Sequence, residues 1–298
     1  MFFLNKKIKV AVHDRSFHSD DVFAVAILSL YLDKPLKIFR TRDLNILTKM
    51  DYLLDVGREY KPNENKFDHH QEGWNEKRKN GIPYATSGLV WKEYGEKICG
   101  TLEVANEIDN KIIQTIDAED NGIEIYKSIF SDIRPYCIFD YVSAFNPTWN
   151  ENINDNESFD KAVILATNIL KREIVIAKDY VLSKNKIDEI YNKTEDKRIL
   201  FLDSDYDWKE IIKKYPEPLF VIKNDNNWSV KAVSVEGYKY KNRLDFPESW
   251  AGKEGEELVK VTGISDAVFC HNNRFLCIAK SKEGAIELAK KALANSKL

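Results

Sequence analysis

Five histidines occur in 298 residues, and four of them fall between positions 13 and 70, each within two residues of a carboxylate. The first group is the run His13-Asp14-Arg15-Ser16-Phe17-His18-Ser19-Asp20-Asp21. The second is Asp55, at the tip of an apolar run and followed closely by Gly57. The third is Phe67-Asp68-His69-His70-Gln71, and the fourth is Asp117-Ala118-Glu119-Asp120-Asn121-Gly122. Mixed imidazole and carboxylate donors suit Mn²⁺, Zn²⁺, Fe²⁺ or Co²⁺, whereas an all-oxygen set would suit Mg²⁺ or Ca²⁺ better. With this many carboxylates, two ions about 3.5–4 Å apart can share one of them. Such a pair activates a water and stabilises both the attacking and the leaving oxygen of phosphoryl transfer. Taken singly, each group has an ordinary explanation: a surface His–Asp contact, or an aspartate capping a helix or turn. Four such groups in one stretch of chain point instead to a metal site.

The elements around these groups are those that would bring them together. Ile8–Val12 reads as a strand that ends at the polar run 13–21, and Val22–Leu32 as an amphipathic helix. Leu36–Phe39 is again strand-like, Asp43 can cap a short helix, and Tyr52–Val56 is a third apolar run. This alternation predicts a parallel sheet with right-handed crossovers, in which functional groups gather beyond the carboxyl ends of the strands. His13, Asp55 and Asp68 each stand at or just past such an end. Ala85–Tyr94 and Leu102–Ile116 read as helices, and Glu151–Ser158 as a polar loop or boundary. Phe159–Tyr191 has apolar residues three and four apart over the length of a long helix. The remainder alternates short strands and helices. The expected class is α/β: a parallel-sheet domain over 1–150, a helical connector over 151–195 and a smaller α/β domain over 196–298.

Composition narrows the function. Lysine and arginine number 45 against 48 aspartates and glutamates, leaving a net charge of −3, which excludes a generally basic nucleic-acid coat but not a local basic cleft. Hydrophobic residues make up 43%, enough for a sizeable core. The four cysteines are scattered, without a CxxC pair, and read as reduced thiols. No apolar run approaches the roughly 18 residues that span a bilayer. The start, Met1-Phe2-Phe3-Leu4-Asn5-Lys6-Lys7, carries its charge after the apolar patch, the reverse of a secretory leader. A cytoplasmic protein is expected, with no membrane partner.

The order His-x4-His-x-Asp, strand-end Asp, Asp-His-His and distal Asp resembles the DHH phosphoesterase superfamily. Its Myg branch, associated with 3′–5′ RNA exonuclease activity, is the nearer likeness. The phrases that carry it run nearly end to end: Phe17-His18-Ser19-Asp20-Asp21, Arg40-Thr41-Arg42-Asp43, Asp55-Val56-Gly57, Asp68-His69-His70-Gln71, Thr86-Ser87-Gly88-Leu89-Val90, Asp120-Asn121-Gly122, Asn146-Pro147-Thr148-Trp149-Asn150 and Lys282-Glu283-Gly284-Ala285. The resemblance implies that His13, His18, Asp20, Asp55 and His69 are metal ligands, with Asp55 bridging two ions. The Asp-Asn-Gly phrase makes Asp120 the last ligand, and Asp117 is the alternative. It further implies that His70 faces the substrate phosphate and that Asp68 orients the site. The implied cofactors are two divalent ions, Mn²⁺ first, with Mg²⁺, Co²⁺, Fe²⁺ and Zn²⁺ as alternatives. The implied substrate is single-stranded RNA or a short oligonucleotide, and a homodimer is one open arrangement. Two departures stand out. His18 occupies a position where many members of the superfamily carry aspartate, and His271–Ala279 lacks their glycine-rich turn.

Two stretches of the second domain could hold nucleic acid. Arg274, Lys280 and Lys282 lie near the start of the last helix, and a helix N-terminus with adjacent cations can take a phosphate, although a solvated basic face is an equal explanation. Tyr238-Lys239-Tyr240-Lys241-Asn242-Arg243 interleaves aromatics and cations like a single-strand-binding surface, or is an ordinary exposed strand. Trp208, Trp228 and Trp250 read as packing residues. The expected activity is therefore metal-dependent phosphodiester hydrolysis. Small-molecule phosphatase, pyrophosphatase or cyclic-dinucleotide phosphodiesterase chemistry on the same metals is the alternative, and metal binding without turnover is a second.

Overall fold

A computed structural model describes residues 7–130, 133–238 and 241–296. The opening residues Met1–Lys6, and Lys239 and Tyr240 of the aromatic–basic stretch, lie outside the described residues. The chain divides into two compact units, Met1–Lys178 and Asp179–Leu298, and the division falls inside one long helix.

The first unit is built on a parallel sheet. Strands β1 (Ile8–Val12), β2 (Leu36–Arg40), β3 (Tyr52–Leu54) and β4 (Lys66–Phe67) lie in the order β2-β1-β3-β4, every pair parallel. Helix α1 (Ser19–Leu32) crosses from β1 to β2, and the short α2 (Leu44–Leu47) follows β2 with Asp43 accepting the Asn45 N–H at its start. The expected parallel α/β arrangement is what forms, with two differences. Helix α1 begins at Ser19 rather than Val22, because Asp21 Oδ1 accepts the His18 backbone N–H at 2.8 Å and closes the first turn early. Nor is α1 amphipathic. Every residue from Ser19 to Leu28 is buried, with the sheet on one side and α3 (Thr86–Cys99) packed against it. A helix apolar all round belongs in a core.

The region read as one helix over Leu102–Ile116 is three consecutive pieces: α4 (Leu102–Ile108), a π-helical stretch Asp109–Ile113, and α5 (Gln114–Asp120). The wider turn places both Asp117 and Asp120 on α5 near the start of α3, where Asp117 binds Gly88. Helix α6 (Ile138–Ser143) packs on α1 and α5. The long α7 (Asp155–Lys193) begins inside the segment read as a loop.

The second unit holds strands β5 (Ile199–Leu202), β6 (Phe220–Asp225), β7 (Asn227–Ala232), β8 (Ala267–Cys270) and β9 (Leu276–Ala279) in the order β5-β6-β7-β9-β8. Only β5 and β6 are parallel. Helices α8 (Lys209–Lys213), α9 (Gly255–Thr262) and α10 (Lys282–Asn295) complete it. One apolar cluster joins α10 and α9 to the sheet through Leu288, Leu258, Phe220 and Trp250, and a second holds Trp208, Ile211 and Ile187. Trp208 and Trp250 are buried and Trp228 stacks on Phe201 at 5.6 Å, as packing residues do. All four cysteines are free thiols. Among the described residues no helix is long and apolar enough to cross a membrane.

Candidate metal centre

The carboxyl ends of β1, β3 and β4 open into a cavity of about 480 Å³, lined by His13, His18, Asp55, Asp68, His70 and Asp120 among others. Parallel strands place their ends on one edge, so residues 13, 55 and 68–70 meet there although up to 57 positions separate them. Asp55 takes a left-handed conformation, φ 54°, which turns the chain sharply at the strand tip, and Gly57 continues the turn at φ 102°. A Cβ at Gly57 would be both strained and only 3.2 Å from Leu53.

Asp55 is the hub. His13 Nε2 lies 3.4 Å from its Oδ2, while His70 Nδ1 and His69 Nε2 lie 3.2 and 3.6 Å from its Oδ1. His13 Nε2 is also 3.3 Å from Asp21, and His69 Nε2 is 3.3 Å from Asp120. Asp68 orients the pair behind it, with Oδ1 accepting from both the backbone N–H and the Nδ1 of His70, each at 2.9 Å. Two overlapping donor groups result, Asp55 with His69 and His70, and Asp20 with His69 and Asp120, each with donor atoms within 4.8 Å of one another. His18 is exposed on the cavity wall, its ring 5.6 Å from that of His13. Asn146 fixes the backbone beside it by accepting the Phe17 N–H at 3.0 Å and donating to the Phe17 carbonyl at 2.9 Å.

The start of α3 ties two more carboxylates to the centre. Asp20 accepts from the N–H groups of Thr86 and Ser87 at 3.0 and 2.6 Å, an anion at a helix N-terminus. Asp117 accepts from Gly88 N and Ser87 Oγ, both at 3.0 Å, and from Arg78 at 2.5 Å, so its oxygens are engaged within the protein. Gly88 is required by this contact, because a Cβ there would sit 1.8 Å from an Asp117 oxygen. Asp120, one turn on, faces His69 and the cavity instead.

So much buried negative charge resists ionisation. Burial, then Asp20 and Asp55, pushes Asp120 up to about 9. Burial and Asp55 push Asp20 up to about 6 and hold Asp21 well above the ordinary carboxylate value. Burial also acts against Asp55, but His70, His13 and His69 outweigh it and hold its carboxyl low. Asp55 and Asp68 in turn push His70 up to about 10. The buried Asp21 Oδ2 and His69 Nε2 find no hydrogen-bond partner among the described residues. Such orphaned buried groups cost roughly 1–3 kcal/mol each, and more when charged. Imidazole and carboxylate donors gathered this closely, two of them without a partner among the described residues, fit a divalent metal ion.

A family model described as uncharacterised protein family UPF0160, the MYG1 exonuclease family, matches residues 9–293. The chain belongs to the MYG1 family. A MYG1 protein of Dictyostelium discoideum is 32% identical, with 97% of each chain covered. A MYG1 protein of Saccharomyces cerevisiae is 30% identical, with 98% of each covered. The protein named MYG1 exonuclease in Homo sapiens is 28% identical over 96% of this chain and 86% of its own. Among solved structures, a pGpG-specific phosphodiesterase, PggH of Vibrio cholerae, aligns over 97% of this chain and 99% of that one at 13% identity and a TM-score of 0.33.

In this MYG1-family chain, His13, Asp20, Asp55, Asp68, His69, His70 and Asp120 converge, and His18 stands on the wall they share. Arg274, Lys280 and Lys282 belong to the second unit. The phosphate place expected at the start of α10 is taken by the chain's own Asp266, whose Oδ2 accepts the Ser281 N–H at 2.9 Å and whose Oδ1 would meet a Cβ at Gly284 at 2.0 Å. Arg274 pairs with Asp245 at 3.4 Å, Lys282 lies over the Phe201 ring at 4.0 Å, and Lys280 is exposed. In the aromatic–basic stretch, Tyr238 is exposed beneath Lys241, whereas Arg243 donates to the carbonyls of Lys213, Tyr215 and Pro218. Sequence reasoning missed Asp21, which lies closer to His13 than Asp55 does. The doubled Asp20-Asp21 in a first helical turn is the signal that could have found it. Arg78 was also missed, and nothing in its local sequence marks it.

Proposed function

We propose that this chain is a divalent-metal-dependent phosphodiesterase of the DHH type, a 3′–5′ exonuclease acting in the cytoplasm on single-stranded RNA or short oligonucleotides. The observation that carries the reading is the pair of donor groups sharing His69, Asp55/His69/His70 and Asp20/His69/Asp120, at the open end of a parallel sheet. The exonuclease names of several relatives support it. His13, His18, Asp20, Asp55, His69 and Asp120 would hold the ions, and Asp21 lies beside His13. Bound there, two divalent ions, Mn²⁺ foremost, would supply an activated water and offset charge on the phosphoryl oxygens.

The protein's own residues do the rest. Asp68 holds Nδ1 of His70, leaving Nε2 to donate a hydrogen bond to a phosphoryl oxygen. The strand-tip turn at Asp55 keeps the hub rigid, and Asn146 fixes the loop that carries His18. Arg274, Lys280 and Lys282 would add at most a weak, diffuse attraction for a polyanionic substrate. Incubating the Mn²⁺-loaded protein with a 5′-labelled oligoribonucleotide, pyrophosphate and a cyclic dinucleotide tests this reading. A ladder of progressively shorter labelled products is expected. Turnover of pyrophosphate alone would make the protein a small-molecule phosphatase, and bound metal with no turnover of any substrate would make it a binding protein.

A further inference from the structure

We propose that Arg58 is a phosphate-anchoring residue of this centre, its guanidinium gripping the oxygens of a substrate phosphate next to the carboxylate–histidine cluster. The inference rests on the phosphodiesterase reading above and adds to it a residue outside the ligand set. Two arginines line the cavity, Arg42 and Arg58. Arg42 is already engaged, because its guanidinium donates to the side chain and the carbonyl of Asp14. The guanidinium of Arg58 makes no hydrogen bond or ion pair among the described residues, although Asp55, Asp68 and Asp120 line the same cavity.

The backbone of Arg58, by contrast, is held firmly. Its N–H donates to Asp68 Oδ2 at 2.6 Å, the carboxylate that also orients His70. It follows Gly57 in a left-handed conformation of its own, φ 56°. A side chain with a Cβ is disfavoured there and glycine is the residue such a turn prefers. A cation is thus kept at a strained position, fixed at its base and free at its head. Residues held in this way cluster at functional sites. A planar fork of N–H donors matches the oxygens of a phosphate, which a cluster of carboxylates alone would repel.

Arg58→Gly separates binding from structure because the two should move in opposite directions. Glycine keeps the N–H that Asp68 accepts and relieves the left-handed turn, so the melting temperature should rise by about 2–4 °C. Metal content after dialysis against Mn²⁺ should stay at the wild-type level. The KM for a short oligoribonucleotide, and the inhibition constant of AMP as a product probe, should each rise by about 10- to 100-fold, the worth of a charged hydrogen bond. Arg58→Lys should recover part of that loss, keeping the charge without the fork. If wild type hydrolyses the oligonucleotide and Arg58→Gly shows unchanged KM and AMP inhibition, the anchor is refuted and the phosphodiesterase reading stands. Loss of metal from Arg58→Gly would also refute it, by tracing the effect to the metal site. If wild type hydrolyses no phosphodiester and AMP does not bind, the reading and the anchor fall together.

Discussion

The two units bury charge in opposite ways. In the first, Asp20, Asp21, Asp55, Asp68 and His69 are buried at the end of a parallel sheet, and two of their polar atoms have no partner among the described residues. In the second, several charged groups find their partners within the protein. Lys223 pairs with Asp225 at 2.8 Å, Asp266 caps α10, and Arg243 is spent on three carbonyls. Burying charge is costly unless it is compensated. A cluster left partly unpaired is one that a divalent ion held by these donors would compensate.

The strongest way to break this contrast is to remove the hub. Asp55→Asn should abolish hydrolysis, with a drop of about 10³-fold or more, since metal activation of water supplies several kcal/mol. The fold should persist, because the amide fills the same space. Activity assays paired with elemental analysis check this. Near-normal turnover by a variant carrying its full metal complement would overturn the role given to Asp55.

A sharper cut lies within α5, between two aspartates three residues apart. Asp117 is engaged with Arg78, whose side chain is only 6% exposed, and Asp120 faces the cavity. Asp117→Ala leaves a buried guanidinium with Asp109 alone, so it should cost about 3 kcal/mol of stability. Asp120→Ala removes a buried carboxyl whose ionisation burial, Asp20 and Asp55 already oppose, pushing it up to about 9. It should leave the metal-free protein at least as stable while lowering metal content. Thermal melts and metal analysis on both variants decide the matter, and the reverse pattern would exchange the two roles.

These two residues also mark what the sequence could and could not convey. The parallel sheet, the strand-end positions of His13, Asp55 and Asp68, and the long helix were legible because they follow from apolar runs and their spacing. Asp120 was preferred to Asp117 only through the Asp-Asn-Gly phrase, and spacing could not decide between them, because a π-helical stretch sets the phase of α5 and no propensity announces it. Asp21 was hidden for a related reason: the early start of α1 depends on its own hydrogen bond to His18. In the second unit α9 went unread, since Gly255–Thr262 is short and bounded by glycine at both ends.

A gentler probe of the contrast is pH. Burial first of all pushes Asp120 up to about 9, Asp117 up to about 7 and Asp20 up to about 6, against an ordinary value of 3.8. The folded state therefore holds protons that the unfolded chain has released, and stability falls as pH climbs from about 4 towards 9. Ions must displace those protons to bind. The rise in melting temperature on adding Mn²⁺ should accordingly be larger at pH 8 than at pH 6. An increment independent of pH would mean that these carboxylates are ionised before metal arrives.

The smallest effect belongs to the second unit. Arg274 and Lys282 are proposed substrate contacts, yet Arg274 is paired with Asp245, Lys282 lies over Phe201, and Asp266 already sits at the helix start they flank. What remains is a diffuse attraction of partly exposed charges for a polyanion, and exposed charge pairs are worth only about 0–1 kcal/mol. Replacing both residues by alanine should therefore raise the KM for an oligoribonucleotide by no more than about 5-fold at low salt, the kinetic equivalent of that energy. The difference from wild type should shrink as salt rises, because phosphate contacts release counterions. Hydrolysis of a small chromogenic phosphodiester, which has no extended backbone for these residues to meet, should be unchanged. A loss of 100-fold or more on the oligonucleotide would show that Asp266 yields its place to a phosphate when substrate binds. The contrast between a satisfied unit and an unsatisfied one would then have to be redrawn.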